Sequence, residues 1–457
     1  MRINILKVIY LILLLPSIGM AKPNILMILV DDLGWQDTSA YGGRLYQTPN
    51  IDKLAKSGVK FNQAYAAAHI CSPTRMSILT GQYPARLQVT DWIPGWSFPH
   101  EKYLPPNWNQ QGLSHSMTSI GEVMQAQGYK TAWLGKWHVR GLKNATETTD
   151  YEHHKAAQEH GFDAGEQDFR LNGKLNPDDP KGVLNLSKQA IEFIEQQSGP
   201  WFATISHYSV HTPVHFNPTR KQAYLNHPDK AVQAHAGYAA MLDALDHSVG
   251  YLLNYLQASE QLTNTVIIFT SDNGGLDKND SGQPTDNAPL KNGKATLFEG
   301  GIRVPFIVSW PNVVSPGTES EALVSSIDIL PTVAAIAGNT QPQTSQILDG
   351  INLLPILKNE QIANARNTLF WHYPHYHRQG GPASAIRQGH YKLIQALDSG
   401  ELYLYNLAKD IGEQKNLANS HSLLADQLLQ KLQDWRQSVG AQALRNNPNY
   451  NKDKAKF

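Results

Sequence analysis

Two stretches of the chain are apolar at nearly every position, with no polar alternation. Asn24-Ile25-Leu26-Met27-Ile28-Leu29-Val30 and Thr265-Val266-Ile267-Ile268-Phe269-Thr270 have the pattern of strands covered on both faces, as in a parallel sheet. Thr131 to Leu134, Phe202 to Ser206 and Val304 to Ser309 are shorter strand candidates, and helical stretches run over Gly121 to Gln127, Leu186 to Gln196 and Tyr238 to Leu256. Alternating strands and helices predict an α/β layered fold, a large mostly parallel central sheet flanked by helices, whose ligands gather at the carboxyl ends of the strands.

The pattern changes late in the chain. From about Gln341 to Asn367 it is polar and turn-rich. Beyond lie Ser384-Ala385-Ile386-Arg387, Tyr391-Lys392-Leu393-Ile394 and Glu401 to Leu407, then an amphipathic stretch from Leu423 to Val439, which together predict a smaller antiparallel α+β subdomain. Arg445 to Phe457, rich in asparagine and lysine, reads as an unpacked polar tail. No internal repeat is visible. The expected organisation is a leader over 1–21, the α/β body over 22–365, the α+β subdomain over 366–443 and the tail over 444–457.

The leader is read from Arg2 and Lys7, the apolar run Val8 to Leu15 and the small residues Gly19 and Ala21, the pattern of a secretory signal peptide cut after Ala21. A membrane anchor would need a longer run, no second one follows, and no cysteine at the cleavage point invites a lipid. The expectation is a periplasmic or secreted protein without an anchor. Lysine plus arginine number 39, as do aspartate plus glutamate, so no global field recruits nucleic acid or an anionic membrane. Selection of an anionic substrate must then be local. Ten tryptophans and nineteen tyrosines suit stacking on sugar rings and equally suit an ordinary core. One cysteine in an exported chain of 457 residues closes no internal disulfide and is left for chemistry.

That cysteine begins Cys71-Ser72-Pro73-Thr74-Arg75, running on into Met76-Ser77-Ile78-Leu79-Thr80-Gly81. Pro73 suits a first helical position and Ile78-Leu79 supply an apolar face, so Cys71 is expected at a helix start, before free backbone N–H groups, with Arg75 a cation one turn on. The two long strands end in Asp31-Asp32-Leu33-Gly34 and Ser271-Asp272-Asn273-Gly274-Gly275. Asp31, Asp32, Asp272 and Asn273 are hard oxygen ligands suited to calcium or magnesium, although such pairs more often make turns and caps. Lys136 and His138, two apart in Thr131 to His138, point to one side if that segment is a strand.

Cys71 to Arg75 followed by x-x-I-L-T-G resembles the signature of the type I sulfatases, in which this cysteine is oxidised to formylglycine. The resemblance runs from Lys22 to about Asn416 and implies an alkaline-phosphatase-like fold and sulfate ester hydrolysis. It implies a calcium site of Asp31, Asp32, Asp272 and Asn273 that formylglycine at position 71 completes. Gly135-Lys136-Trp137-His138 resembles the family motif whose lysine and histidine hold the sulfate and the formylglycine hydroxyls. Ser209-Val210-His211-Thr212-Pro213 resembles the segment whose histidine reaches the leaving-group oxygen, leaving His207 and His215 to the rim or core. Gly293 to Gly301 resembles the lysine loop, making Lys294 a sulfate ligand ahead of Lys291. His69 and Met76 depart from the family pattern without touching these roles.

Thr90 to Gly95 and Trp371 to Tyr376 look like segments of bacterial polysaccharide sulfatases, some acting on galactose-type sugars, which makes Trp92, His372 and His375 candidates for substrate contact. The bland alternative packs Trp92 and Trp371 under loops and exposes both histidines. The implied substrate is a sulfated glycan, and the implied partner a formylglycine-generating or radical maturation enzyme. Competing readings are a phosphate or phosphonate monoester hydrolase on the same scaffold, and a non-catalytic binder of sulfated glycans.

Overall fold

A computed structural model describes residues 22–139, 156–165, 175–277, 285–360 and 366–456. The expected leader, 1–21, lies outside them. Among the described residues no helix is long and apolar enough to cross a membrane.

The unbroken apolar runs become the centre of a seven-stranded sheet. In chain order its strands are β1 (Asn24–Val30), β2 (Val59–Tyr65), β4 (Lys130–Gly135), β5 (Trp201–Ser206), β6 (Thr265–Ser271), β7 (Phe306–Ser309) and β8 (Thr318–Ser325), and a short β3 (Tyr103–Leu104) lies apart. Across the sheet the order is β4-β5-β1-β6-β7-β2-β8. Only β7 runs antiparallel to its neighbours. β1 is therefore paired on both edges, Ile25 opposite Phe202 on one side and Val266 on the other. Its alternate residues feed two cores. Ile25, Met27 and Leu29 pack with Ile78, Leu79 and Met124 on one face, while Leu26, Ile28 and Val30 pack with helices Val183–Glu195 and Ala236–Ala258 on the other. Each such side chain contributes about 1.5–3 kcal/mol by leaving water.

β2 and β8 are not legible from apolar runs. Val-Lys-Phe-Asn-Gln and Thr-Glu-Ser-Glu-Ala alternate with polar residues: β8 is an edge strand whose first five residues are exposed or half-exposed, and β2, its inner neighbour, is half-exposed at Lys60, Asn62 and Gln63.

A second sheet, in the order β12-β11-β10-β9, is wholly antiparallel: β9 (Thr368–Tyr373), β10 (Ala383–Gln388), β11 (Tyr391–Ala396) and β12 (Leu402–Asn406). Helix Ser422–Ser438 covers it with Leu428, Leu432 and Trp435, the last stacked on Phe370 at 4.8 Å. The same apolar cluster takes in Tyr65, Tyr83, Leu297 and Ile302 of the larger body, so the two sheets share buried surface. The turn-rich connection is also tied down, Gln346 donating to the Thr80 and Thr118 carbonyls and Asp349 pairing with Arg86.

The C-terminal segment corrects an expectation. Read as unpacked, Arg445–Asn446 instead forms β13, paired with β3. Asn447 Nδ2 donates to the Pro99 and Glu101 carbonyls at 2.9 and 2.6 Å, and Lys456 N to Glu101 Oε1 at 2.7 Å. Asn447, one of the asparagines that signal disorder by composition, serves here as a side-chain donor to the loop at Pro99 to Glu101.

Candidate active site

The carboxyl ends of β1, β4, β5 and β6 meet one helix N-terminus. Helix Cys71–Thr80 is buried on every side, and its N-cap residue Ile70 offers no side-chain acceptor. It begins two residues earlier than expected, so Pro73 falls at its third position, still within the first turn, where no intrahelical bond is lost. Asp31 follows β1 and is held by its N–H on the Ser209 carbonyl at 3.0 Å. Asp32 takes a left-handed backbone, φ 61°, and its N–H reaches Asp272 Oδ1 at 3.2 Å. Gly274 lets the next loop close, since a Cβ there would lie 1.8 Å from the Gly300 carbonyl.

Three carboxylates and three cations converge. Lys136 Nζ lies 2.6 Å from Asp31 Oδ2, Lys294 Nζ 2.6 Å from Asp32 Oδ1, and Arg75 Nε 2.8 Å from Asp272 Oδ2. Arg75 is fully enclosed and also donates to the Lys136 carbonyl and Ser206 Oγ, which fixes it as an anchor. Burial alone would raise the Asp31 pKa, but Lys136, His211, Arg75 and Lys294 outweigh it and hold this carboxyl well below the usual range. Asp272, where burial wins over Arg75, is lifted to about 6.

Cys71 Sγ sits 3.3 Å from Lys294 Nζ and 3.4 Å from Asp31 Oδ1. Burial pushes its thiol well above the ordinary value despite the two lysines. An unmodified Cys71 is thus a protonated thiol, not a thiolate nucleophile.

A hard cation fits beside it. Ligand atoms of Asp31, Asp32, Cys71 and His211 lie within 4.8 Å of one another. Asp32 Oδ2 and Asn273 Oδ1 are buried with no hydrogen-bond partner, oxygens that a cation would satisfy. Asn273 Nδ2 donates to Asp32 Oδ1 at 2.8 Å and so turns its carboxamide oxygen free.

The site forms the floor of a cleft of about 610 Å³ lined by Ile70, Cys71, Trp92, Trp96, His138, His211, Thr212, Leu276, Lys294, His377, Arg378 and Gln379. His211 Nδ1 lies 2.5 Å from the Thr212 carbonyl and Nε2 3.6 Å from Asp32 Oδ2. Burial, then Lys294, lowers its pKa to about 4. His138 reaches the cleft from an irregular segment, contrary to the expected strand: β4 stops at Gly135, whose φ of 94° and close approach to the Ser206 carbonyl exclude a side chain, and His138 itself has φ 58°. Its Nε2 lies 3.2 Å from the Ile93 carbonyl.

Of the three residues expected to touch substrate, Trp92 lines the cleft and two do not. His372 lies on β9 with Nδ1 2.6 Å from Ser384 Oγ and Nε2 2.8 Å from the Gln442 carbonyl. His375 is buried with Nε2 2.7 Å from Thr90 Oγ1. Burial draws their pKa values down to about 4 and about 3, so both are neutral structural residues, neither exposed nor facing the cleft. Trp371 is buried, its Nε1 donating to the Ala66 carbonyl, as the bland alternative held. His207 is a core residue 3.3 Å from Ser248 Oγ, His215 lies beside Lys181 away from the cleft, and Lys291 turns to the Glu413 carbonyl and the Phe298 ring. His69 is buried edge-on to Tyr373, and its carbonyl accepts from Ala295 N, bracing the Lys294 loop. Met76 is core.

Sequence reasoning missed Trp96, His377, Arg378 and Gln379, which come from two loops far apart in the chain. It also missed Lys181, which donates to the His211 carbonyl at 2.8 Å. No motif marks Lys181, while His377 and Arg378 lie just beyond the segment Trp371 to Tyr376.

Cations crowded on carboxylates at the carboxyl edge of a mostly parallel sheet make sense where a metal and an anionic group are to be bound together, and the class so defined is the ester hydrolases of the alkaline phosphatase superfamily. Comparison with known proteins narrows this. The family model described as Sulfatase matches residues 23–339, and one described as N-sulphoglucosamine sulphohydrolase, C-terminal, matches 292–438. A sulfatase of Formosa agariphila is 32% identical over 483 residues, covering 87% of this chain and 84% of its own. Human arylsulfatase A is 29% identical, covering 92% and 89%. The solved structure of Ps i-CgsB in complex with k-i-k-neocarrahexaose superposes with TM-score 0.72 at 27% identity, covering 94% of each chain. The chain belongs to the sulfatase family and is a sulfuric ester hydrolase.

Proposed function

We propose that this sulfatase removes sulfate from a sulfated carbohydrate, with residue 71 converted to formylglycine and calcium held by Asp31, Asp32, Asp272 and Asn273. The observation that carries the reading is the position of Cys71, at the cleft floor within 3.4 Å of both Lys294 and Asp31, as a thiol that burial keeps protonated and unreactive. Converted and hydrated, this side chain offers two hydroxyls on one carbon, one to attack sulfur and one to let sulfate depart. Calcium, when bound, neutralises the carboxylates and adds positive charge toward the sulfate oxygens.

The chain's own residues do the rest. Lys136 and Lys294, which lie against Asp31 and Asp32 at the cleft floor, are the cations that would bind the sulfate oxygens. His211 keeps one proton on Nδ1, directed at the Thr212 carbonyl, so neutral His211 has a bare Nε2. Only its imidazolium can protonate a leaving alcohol, and a bound anion favours that form by offsetting Lys294. His138, which also lines the cleft, would take a proton during release.

A glycan is supported by the neocarrahexaose bound to the relative and by a cleft far larger than a sulfate needs. A galacto-configured residue is the sugar this reading favours. The reading also requires a formylglycine-generating or radical maturation enzyme, and it includes export to the periplasm or medium through the leader.

The test is threefold. Purified protein should hydrolyse 4-nitrophenyl sulfate faster than the phosphate, and the reverse preference would favour the phosphomonoester alternative. Tryptic mass spectra of active enzyme should show formylglycine at position 71, and an intact thiol there would overturn the assignment. His211→Ala should lower turnover by roughly 10² to 10⁴ on a sugar sulfate and far less on nitrophenyl sulfate, whose phenolate leaves unaided. Equal losses would make His211 a sulfate ligand and pass the acid role to Lys294.

A further inference from the structure

One wall of the cleft has no part in the chemistry above, yet it holds the polar groups of a binding site. Arg378 is exposed, and its guanidinium lies 4.4 Å over the ring of Trp96, which is itself 40% exposed. The lysines at the cleft floor are neutralised by Asp31 and Asp32, but no carboxylate of a described residue pairs with Arg378. Stacking on Trp96 fixes the plane of the guanidinium and leaves its N–H edge open, the geometry that takes an oxyanion through two parallel hydrogen bonds.

Two further atoms on this wall await a partner. Trp92 Nε1, a donor, and Gln379 Oε1, an acceptor, are both buried and bonded to nothing among the described residues. A sugar hydroxyl is donor and acceptor at once, so a small side-chain adjustment that turned either atom toward the cleft would let a bound sugar satisfy it. Trp92 packs 5.6 Å from Trp96, so the orphan donor and the arginine platform belong to one surface.

We propose that Trp92, Trp96, Arg378 and Gln379 form a recognition subsite for a second oxyanion, a sulfate or a carboxylate, carried by the sugar next to the ester that is cleaved. Resting on the proposed sulfatase reading, it makes the preferred substrate a glycan with two or more negative charges, in which Arg378 sets specificity and Trp96 positions Arg378.

The experiment compares mature full-length enzyme with Arg378→Ala and Trp96→Ala on 4-nitrophenyl sulfate, a monosulfated neutral disaccharide, a disulfated disaccharide and a monosulfated disaccharide containing a uronic acid. Arg378→Ala should raise KM on a two-anion substrate by on the order of tenfold, with kcat little altered, as expected when binding equally strong in ground and transition states is removed. The loss should be much smaller on the neutral disaccharide and on nitrophenyl sulfate, and should shrink in high salt. Whichever two-anion substrate suffers more identifies the second group as sulfate or carboxylate. Trp96→Ala should act in the same direction and more weakly. Equal losses on all four substrates, or no loss on either two-anion substrate, would overturn the subsite. Calorimetric binding of the disulfated disaccharide to Cys71→Ala, with and without Arg378→Ala, tests it independently of turnover. A wild-type enzyme inactive on every sulfate but binding through Arg378 would sink the catalytic reading and leave the subsite standing.

Discussion

Lys294 and Glu299 stand on one short stretch of chain, yet each belongs to a different buried cluster of opposite charges. The first cluster holds Asp31, Asp32 and Asp272 with Arg75, Lys136 and Lys294. The second joins Glu299 and Glu413 to Lys392, whose Nζ lies 2.9 Å from each, with Arg303 at 3.4 Å from Glu299 and Tyr65 donating to it at 2.6 Å. Arg387 adds a hydrogen bond to Tyr65. Burial alone would raise the Glu299 pKa, but Lys392, Arg303 and Arg387 bring it down to about 2, while Glu413, where burial wins over its shared lysine, is lifted to about 7.

Charge and burial do not separate the two clusters. Closure does. In the second, both oxygens of Glu299 and Glu413 Oε2 are hydrogen-bonded, the last accepting from Glu299 N at 2.7 Å. Glu413 Oε1, though without a hydrogen bond, has the Lys392 ammonium at 2.9 Å, so that the cluster ties β11 to the end of β2 and clamps the small sheet to the large one. The first borders a cleft and leaves Asp32 Oδ2, Asn273 Oδ1 and Arg75 Nη2 unbonded. Unsatisfied buried atoms beside open space distinguish a cluster kept for a ligand from one kept for the fold.

The difference is broken most sharply by one variant on each side. Asp32→Asn keeps the shape, and asparagine tolerates the left-handed backbone there. Turnover should fall by roughly 10² to 10³ or more, taking loss of one charge-stabilising group as the guide. Melting in chelator should fall, because Lys294 loses its carboxylate partner at 2.6 Å, and the calcium-induced rise, about 2.7 kcal/mol at a hundredfold excess over Kd, should largely vanish as well. If calcium stabilises the variant as well as the wild type, the metal does not sit on Asp32.

Lys392→Met is the converse. It leaves two carboxylates buried without their common ammonium, at a cost of about 3–5 kcal/mol. Denaturant midpoints should drop, while kcat of the folded fraction stays close to wild type. A turnover loss exceeding the stability loss would show that the second cluster reaches the chemistry.

These two clusters were unequally legible in the sequence. The first lies at the ends of β1 and β6, whose unbroken apolar runs announce central strands, and at a helix start marked by Cys71 to Arg75. Glu299, Lys392 and Glu413 lie on separate elements, and nothing local says that they meet. β9 was hidden for a related reason: Trp371, His372 and Tyr373 resemble a polar, aromatic loop until Ser384 and the Gln442 carbonyl are seen to satisfy His372. The Arg378 wall was out of reach because it is assembled from loops brought together only by the two sheets.

A third buried carboxylate sharpens the comparison with the smallest effect. Among the described residues no cation stands beside Asp37. Its Oδ2 accepts from Tyr238 OH at 2.7 Å and Gly34 N at 2.9 Å, but burial outweighs both bonds and lifts its pKa from 3.8 to about 7, with Asp286 adding to the rise. The unfolded chain releases this proton near pH 4 and the folded protein holds it until about 7. In that window the folded state binds more protons, so Asp37 makes stability fall as pH rises from about 4 to 7, with no further change above or below. Both bonds fall on one oxygen, so Asp37→Asn can keep them on its carbonyl and remove the titration. The stability of Asp37→Asn relative to wild type should therefore climb between pH 4 and 8 by at most about 4 kcal/mol, the limit set by a shift of this size. Chemical denaturation of both proteins at several pH values measures the climb. A difference that stays constant with pH would mean that Asp37 ionises normally despite its burial, and that lack of a cation is not what sets it apart from Asp31 and Glu299.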